Sequence, residues 1–345
     1  MKNSLRAAPS GHRDAPLAGW PPALRGPAVT HRLIPLADIQ AAHRRIAGRV
    51  RRTPMMAATA LKTALPGGGP VILKLESLQA TGSFKARGAS NKLGTLDAKQ
   101  IARGIVTASG GNHGIAVAYA GWMANVPATI FVPEGVSPLK AQKIEGYGAR
   151  LVVGGKHFAE ANAAALDLAK RDGLAYFHPY EDPAVIAGQG TLSLEILGDD
   201  PAIDTILVAV GGGGLIAGIA SAAKAIKPSI RIVGIEPVGA PTLHEALKAG
   251  KVVTLPKITT SVLTMAALRT GEINFDITRQ AVERVVLVTD DDMRAAARML
   301  WMELGIAADL SGAASLAAIM AGAYVPQAGE RVCALVCGAG PDGME

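Results

Sequence analysis

The chain has 345 residues, enough for about two domains, and 49% hydrophobic against 18% charged residues excludes a disordered polymer. Its net charge of +7 is gathered partly in Lys2, Arg6, Arg13 and Arg25 and otherwise scattered; with aromatics at 4%, little is available to stack bases and no nucleic-acid partner is expected. No window approaches the roughly 20 unbroken apolar residues that cross a bilayer, so a soluble protein with no membrane partner is expected.

Residues 1–31 carry Pro9, Pro16, Pro21, Pro22 and Pro27 with no periodic apolar pattern and no secretory run, and read as a flexible tail. Asp38 is placed to cap a helix running to about Val50, and Pro54 blocks further extension. Short apolar runs then predict strands at Val71–Leu75, Gly104–Thr107, Ala128–Val132, Arg150–Val153, Thr205–Val210, Arg231–Ile235, Arg284–Val288 and Val332–Val336. Ala-rich stretches with helical spacing, such as Ala159–Lys170 and Asp291–Leu304, lie between them. This alternation predicts an α/β protein with mostly parallel sheets flanked by helices. No internal repeat or linker interrupts it, so the two domains are expected to interleave. Cys333 and Cys337 lie four apart on the last strand, where a disulfide is geometrically unfavourable, so a reducing, cytoplasmic setting is expected.

Four segments at strand ends hold chemistry-bearing residues. The first, Glu76 to Ala89, contains the turn Thr81-Gly82-Ser83 followed by Phe84 and Lys85. A catalytic lysine needs a firmly held backbone and a desolvated amine, because burial lowers the amine pKa. On spacing alone Lys85 is simply a lysine at a helix start. The second segment is Ser109-Gly110-Gly111-Asn112-His113, again between a strand and a helix. Amides at a helix N-terminus bind anions, so this turn suits a carboxylate, or else Asn112 and His113 only cap the helix. The third is Gly211-Gly212-Gly213-Gly214-Leu215. It has neither the spacing of a dinucleotide fingerprint nor the Lys-Ser/Thr ending of an NTP loop, which favours one compact phosphate. The fourth, Cys337-Gly338-Ala339-Gly340, puts a small polar side chain at a strand's carboxyl end, or else a buried cysteine acting as a small hydrophobe.

In order and residue content these segments resemble one family, the β-family (fold type II) of pyridoxal-phosphate enzymes, in its threonine/serine dehydratase and serine racemase branch. The resemblance covers about residues 36–345 and extends to His178-Pro179, Val185 to Thr191 and Ser311 to Ala314. It implies a tryptophan-synthase-β-like fold, with residues 32–105 and 178–345 forming a large cofactor-binding domain and 106–177 a small one, in a homodimer. It makes Lys85 the Schiff-base lysine and proton carrier, with Phe84 against the cofactor ring. Asn112 would meet the ring hydroxyl, Gly211 through Leu215 the phosphate, and Cys337 the pyridine nitrogen. Ser109, Gly110, Gly111, Asn112 and His113 would hold the substrate carboxylate. A thiol cannot protonate the ring as a carboxylate would, which suits brief carbanion formation and loss of a β-substituent.

Three departures sharpen this expectation. Serine racemases carry a serine at the position of Gly110, and glycine has no proton to give to the second face, so elimination is expected over racemisation. The Ala-Asp-Gly stretch of the branch is missing from the region Thr259–Thr264. Members with a structural cation use two acids and a carbonyl; Glu236 and Ala240 match, but Thr242 replaces the second acid, so no metal is expected. A regulatory domain after Cys337 is not expected. The expected function is therefore a threonine/serine ammonia-lyase that turns a β-hydroxy amino acid into a 2-keto acid and ammonia. The alternatives are a racemase or β-replacement enzyme of the same family, or a non-catalytic pyridoxal-phosphate-binding protein.

Overall fold

The computed structural model describes residues 33–344, so the expected tail falls outside the described residues. Within them ten strands form two sheets: β1 Met55–Ala57, β2 Val71–Leu75, β3 Ile105–Ala108, β4 Ala128–Val132, β5 Arg150–Val153, β6 Ala175–Tyr176, β7 Thr205–Ala209, β8 Arg231–Pro237, β9 Arg284–Val288 and β10 Val332–Val336. The larger sheet has the order β1-β2-β10-β7-β8-β9, parallel except for β1, and the smaller has the order β5-β4-β3-β6 and is wholly parallel. Non-consecutive neighbours such as β2 and β10 require helical crossovers, the α/β arrangement that the alternating pattern predicts.

The strands most uniformly apolar in sequence lie at the centre. β7 and β10 are buried along their whole length, as parallel strands covered on both faces must be. One core runs from Val71 to Cys337 on the large sheet. The small sheet has its own core on each face: Ile105, Ile115 and Val132 on one side, Val106, Ala108 and Ala161 on the other. The helix Lys85–Leu93 joins the two assemblies, because its Ala89 and Leu93 pack into the small sheet's core while its Arg87 faces a charged cluster behind the large sheet.

That cluster is fully buried. Arg87 pairs with Glu76 at 2.8 Å and Glu195 at 2.7 Å, and Lys74 in β2 pairs with Glu195 at 2.7 Å. Two cations meet two anions, so no net charge is stranded in the interior. The pairs pin the turn after β2 to the helix that begins at Lys85.

Two expectations need correction. The first helix spans Leu36–Ile46 with Pro35 as its N-cap residue, and Asp38 lies inside the first turn. Gly48 turns the chain at φ +77°, so the helix stops short of Val50. The edge strands β1 and β6 were not expected; three and two residues are too short to show a period. Of the predicted strands only β3, β7 and β8 differ, by one or two residues at an end.

Candidate active site

The turn before Lys85 is stitched to the end of β10. Gly82 takes φ +83°, a conformation open to glycine, and Ser83 forms a bridge with Gly338. The Phe84 N–H donates to the Cys337 carbonyl at 3.2 Å, and the Ala339 N–H to the Gly82 carbonyl at 2.7 Å. Lys85 therefore starts its helix from a backbone held on both sides. Its Nζ donates to the Pro179 carbonyl at 2.7 Å and lies 5.1 Å from the Phe84 ring centre. Part of the residue stays open to the cleft, yet burial around the amine lowers its pKa to about 8, with the neighbouring Cys337 pulling it weakly upward. At that value the neutral, proton-accepting amine is accessible near neutral pH.

Pro179 leads to Tyr180, which forms the floor of the glycine loop. A Cβ on Gly212 would fall 2.2 Å from the Tyr180 ring, so a side chain there is excluded. Asn274 Nδ2 and Thr270 Oγ1 donate to the Gly212 carbonyl at 2.8 and 3.2 Å, which fixes the orientation of that peptide. The helix Gly214–Ile226 begins here with Gly213 as its N-cap residue and no side-chain acceptor. Among the described residues, the N–H groups of Gly211 through Leu215 find no acceptor. Leu215 packs its side chain into the large core, leaving its N–H at the helix end.

The small sheet supplies the facing loop, which ends β3 and starts the helix Asn112–Ala124 with Gly111 as N-cap residue. Asn112 and His113 are thus the first helical residues and not caps. The Gly111 N–H donates to Ser109 Oγ at 3.2 Å. His113 is buried, its Nε2 lies 3.1 Å from the Phe177 carbonyl, and burial followed by the nearby Lys85 holds its pKa down to about 3. The ring is therefore neutral, and Nε2 carries the hydrogen that the carbonyl accepts. A Cβ on Gly110 would meet Val136 Cγ2 at 3.1 Å, and Gly110 is not among the glycines at positive φ.

Asn112 Nδ2 donates across the cleft to Asp309 Oδ2 at 3.0 Å. Asp309 caps the helix Leu310–Met320 and also accepts from Ser311 Oγ and the Gly312 N–H, each at 2.6 Å. Burial raises its pKa, and these three donors pull it back. Cys337 is a free thiol whose Sγ lies 3.3 Å from the Ser311 carbonyl, and burial pushes its pKa well above the ordinary value. Lys85, Asn112, the glycine loop and Cys337 thus converge from four distant segments. Sequence reasoning passed over Tyr180, Asn274, Thr270 and Asp309, whose relevance comes from what they touch. Only Asp309 left a local signal, as an aspartate three residues before Gly312 at a helix start.

The residues matching the family's cation position do not fit a hard cation. Glu236 accepts from the Leu243 and His244 N–H groups at 2.7 and 2.8 Å, and burial raises its pKa to about 8. The Ala240 carbonyl accepts the Thr242 N–H at 2.9 Å, and Thr242 Oγ1 donates to the Ala267 carbonyl at 2.6 Å. The region Thr259–Thr264, where the branch's Ala-Asp-Gly stretch was expected and is missing, still reaches the cleft. The Thr264 carbonyl would lie 3.2 Å from a Cβ on Gly211, and Thr264 Cγ2 3.9 Å from one on Gly111.

Residues 46–338 match the family model described as pyridoxal-phosphate dependent enzyme. The chain belongs to that family. It is 39% identical to an L-threonine ammonia-lyase of Geobacter sulfurreducens, over 88% of this chain and 75% of that one. It is 38% identical to a catabolic L-threonine dehydratase of Staphylococcus aureus, over 85% and 84%. Among solved structures, maize serine racemase superposes with a TM-score of 0.85 at 35% identity, over 89% of this chain and 94% of that one. The processed threonine deaminase isoform 2 of Solanum lycopersicum superposes with a TM-score of 0.82 at 34% identity, over 88% of each. The cofactor is therefore pyridoxal phosphate, and the site fits it: the donors of Gly211–Leu215 lack acceptors among the described residues, and the Lys85 amine of lowered pKa is bonded to Pro179, next to the Tyr180 that packs against the loop.

Proposed function

We propose that this protein is a pyridoxal-phosphate-dependent ammonia-lyase that converts a small β-hydroxy amino acid, threonine or serine, into a 2-keto acid and ammonia. What carries the reading is the convergence of the Lys85 amine with two helix N-termini, one on each sheet. The named activities of the Geobacter and Staphylococcus relatives agree with it. Gly211, Gly212, Gly213, Gly214 and Leu215 would hold the cofactor's phosphate through backbone N–H groups, with Phe84 against its ring, Asn112 toward its hydroxyl and Cys337 toward its ring nitrogen. When bound, pyridoxal phosphate would supply an electron sink for the substrate's α-carbon.

The rest falls to the chain. Ser109, Gly111, Asn112 and His113 orient the substrate carboxylate at the helix N-terminus, with Gly110 leaving room beside it. Lys85 Nζ takes the α-proton, and its pKa near 8 lets it both accept and return a proton near neutral pH. Loss of the β-hydroxyl removes water across the Cα–Cβ bond. Hydrolysis then returns that water and releases ammonia with the keto acid.

The likeness to maize serine racemase favours racemisation as a second reading, but Gly110 offers no proton donor on the face opposite Lys85. Residues 106–177 act as the small domain against 32–105 and 178–345. The two reduced, buried cysteines agree with a cytoplasmic setting, and a homodimer is the expected assembly, open to light scattering. A panel of β-hydroxy amino acids, assayed for keto acid, ammonia and D-amino acid, tests the reading. Efficient D-serine formation without keto acid would replace it with a racemase.

A further inference from the structure

Asp309 is half-buried, and each of its oxygens has its own task. Oδ1 caps the helix Leu310–Met320 by accepting from Gly312 N–H and Ser311 Oγ, while Oδ2 crosses the cleft to Asn112 Nδ2 at 3.0 Å. Its side chain lies against Gly338 and Gly340, in the loop that follows Cys337. A helix cap alone needs one acceptor, so the bond to Asn112 is a second function of the same carboxylate.

We propose that Asp309 is a positioning residue that sets which end of the Asn112 amide faces the cofactor and ties the substrate loop of the small sheet to the strand end of the large one. A carboxylate bonded by three donors can only accept, so the Asn112 amide must turn its nitrogen, not its oxygen, toward Asp309. The second N–H of that nitrogen is then available to donate to the cofactor's ring oxygen, a bond the amide carbonyl cannot make because it only accepts. The inference rests on the reading of Asn112 given above.

The test compares Asp309→Asn, Asn112→Asp, their double variant and Asn112→Ala. It measures the melting temperature of the cofactor-free protein, its affinity for pyridoxal phosphate by absorbance titration, and kcat and KM for threonine. Asn caps a helix as well as Asp does, so a purely structural cap predicts no effect of Asp309→Asn. The positioning role predicts that this variant binds the cofactor about tenfold more weakly and turns over more slowly, as loss of one hydrogen bond to the cofactor implies. Asn112→Asp brings two carboxylates together and should lower the melting temperature. The double variant reverses donor and acceptor, so the cofactor-free protein should regain its melting temperature while cofactor affinity and kcat stay low.

Asp309→Asn with parental affinity, kcat and KM would overturn the proposal. If Asn112→Ala also behaves like the parent, the reading of Asn112 falls as well; if Asn112→Ala is impaired, only the role of Asp309 falls. Should Asp309→Asn not fold, Asp309→Ser keeps a cap but is too short to reach Asn112. It must show the same affinity loss, and parental affinity in it would overturn the proposal equally.

Discussion

The glycine loop Gly211–Leu215 and the loop Ser109–His113 each end a parallel strand and open a helix, but their surroundings differ. The first rests on Tyr180, with its Gly212 peptide held by Asn274 and Thr270, all outside the small sheet, and its helix is rooted in the larger core. The second belongs to the small sheet and meets Asp309 on the far side of the cleft through one hydrogen bond. That difference suits the proposed roles, since a seat for a phosphate that stays and one for a carboxylate that comes and goes would need different support. The contrast predicts that changes in the first loop act on cofactor retention, and changes in the second, the Asn112 side chain apart, on substrate handling.

The largest effect should come from the residue between the loops. Lys85→Ala should lower kcat by about 10²–10⁴-fold or more while the glycine loop still holds some cofactor, measured by steady-state assay and absorbance titration. Borohydride reduction of the loaded parent should mark Lys85 alone in a peptide map. The lysine should also show in the pH dependence of the cofactor-free protein. Its amine titrates at about 8 when folded and at 10.5 when exposed. Between those values the unfolded chain binds more protons, so stability should rise with pH across that window and Lys85→Met should flatten the rise. A parallel pH dependence in parent and variant would refute the lowered pKa.

Next in size is Gly212→Ala, which drives a methyl into the Tyr180 ring. Overpacking of this kind costs about 1–3 kcal/mol, and the protein should melt lower and lose cofactor on gel filtration while KM for substrate in excess cofactor changes little. In the facing loop, Gly110→Ser should be milder. The backbone there accepts a side chain, and Val136 must yield by a few tenths of an ångström to a Cβ at 3.1 Å. The variant should fold, keep its cofactor and make more D-serine relative to keto acid by chiral chromatography. An unchanged ratio would mean that the new hydroxyl does not reach the second face. The smallest effect should be that of EDTA, because Glu236 and Thr242 already have partners from the chain itself. A melting temperature or activity that falls with EDTA and returns with magnesium would show other ligands at work.

Much of this protein was legible in its sequence because parallel sheets covered on both faces demand continuous apolar runs. β2, β4, β5, β9 and β10 coincide with the predicted strands, and the strand–turn–helix punctuation located Lys85 and the two loops that open the helices at Asn112 and Gly214. Those signals are local: a glycine at a strand end or a lysine after a tight turn is written in neighbouring residues. Tertiary structure alone decided the rest. Nothing near Lys74 or Arg87 in sequence marks them as buried, and they are so because Glu195, more than a hundred residues away, comes to meet them. Tyr180 matters because it lies under Gly212, and Asp309 because its carboxylate meets an amide 197 positions earlier in the chain. A single sequence records which residues are present and their periodicity. Which charges neutralise one another, and which acceptor orients which donor, depends on distances that exist only once the two sheets have come together.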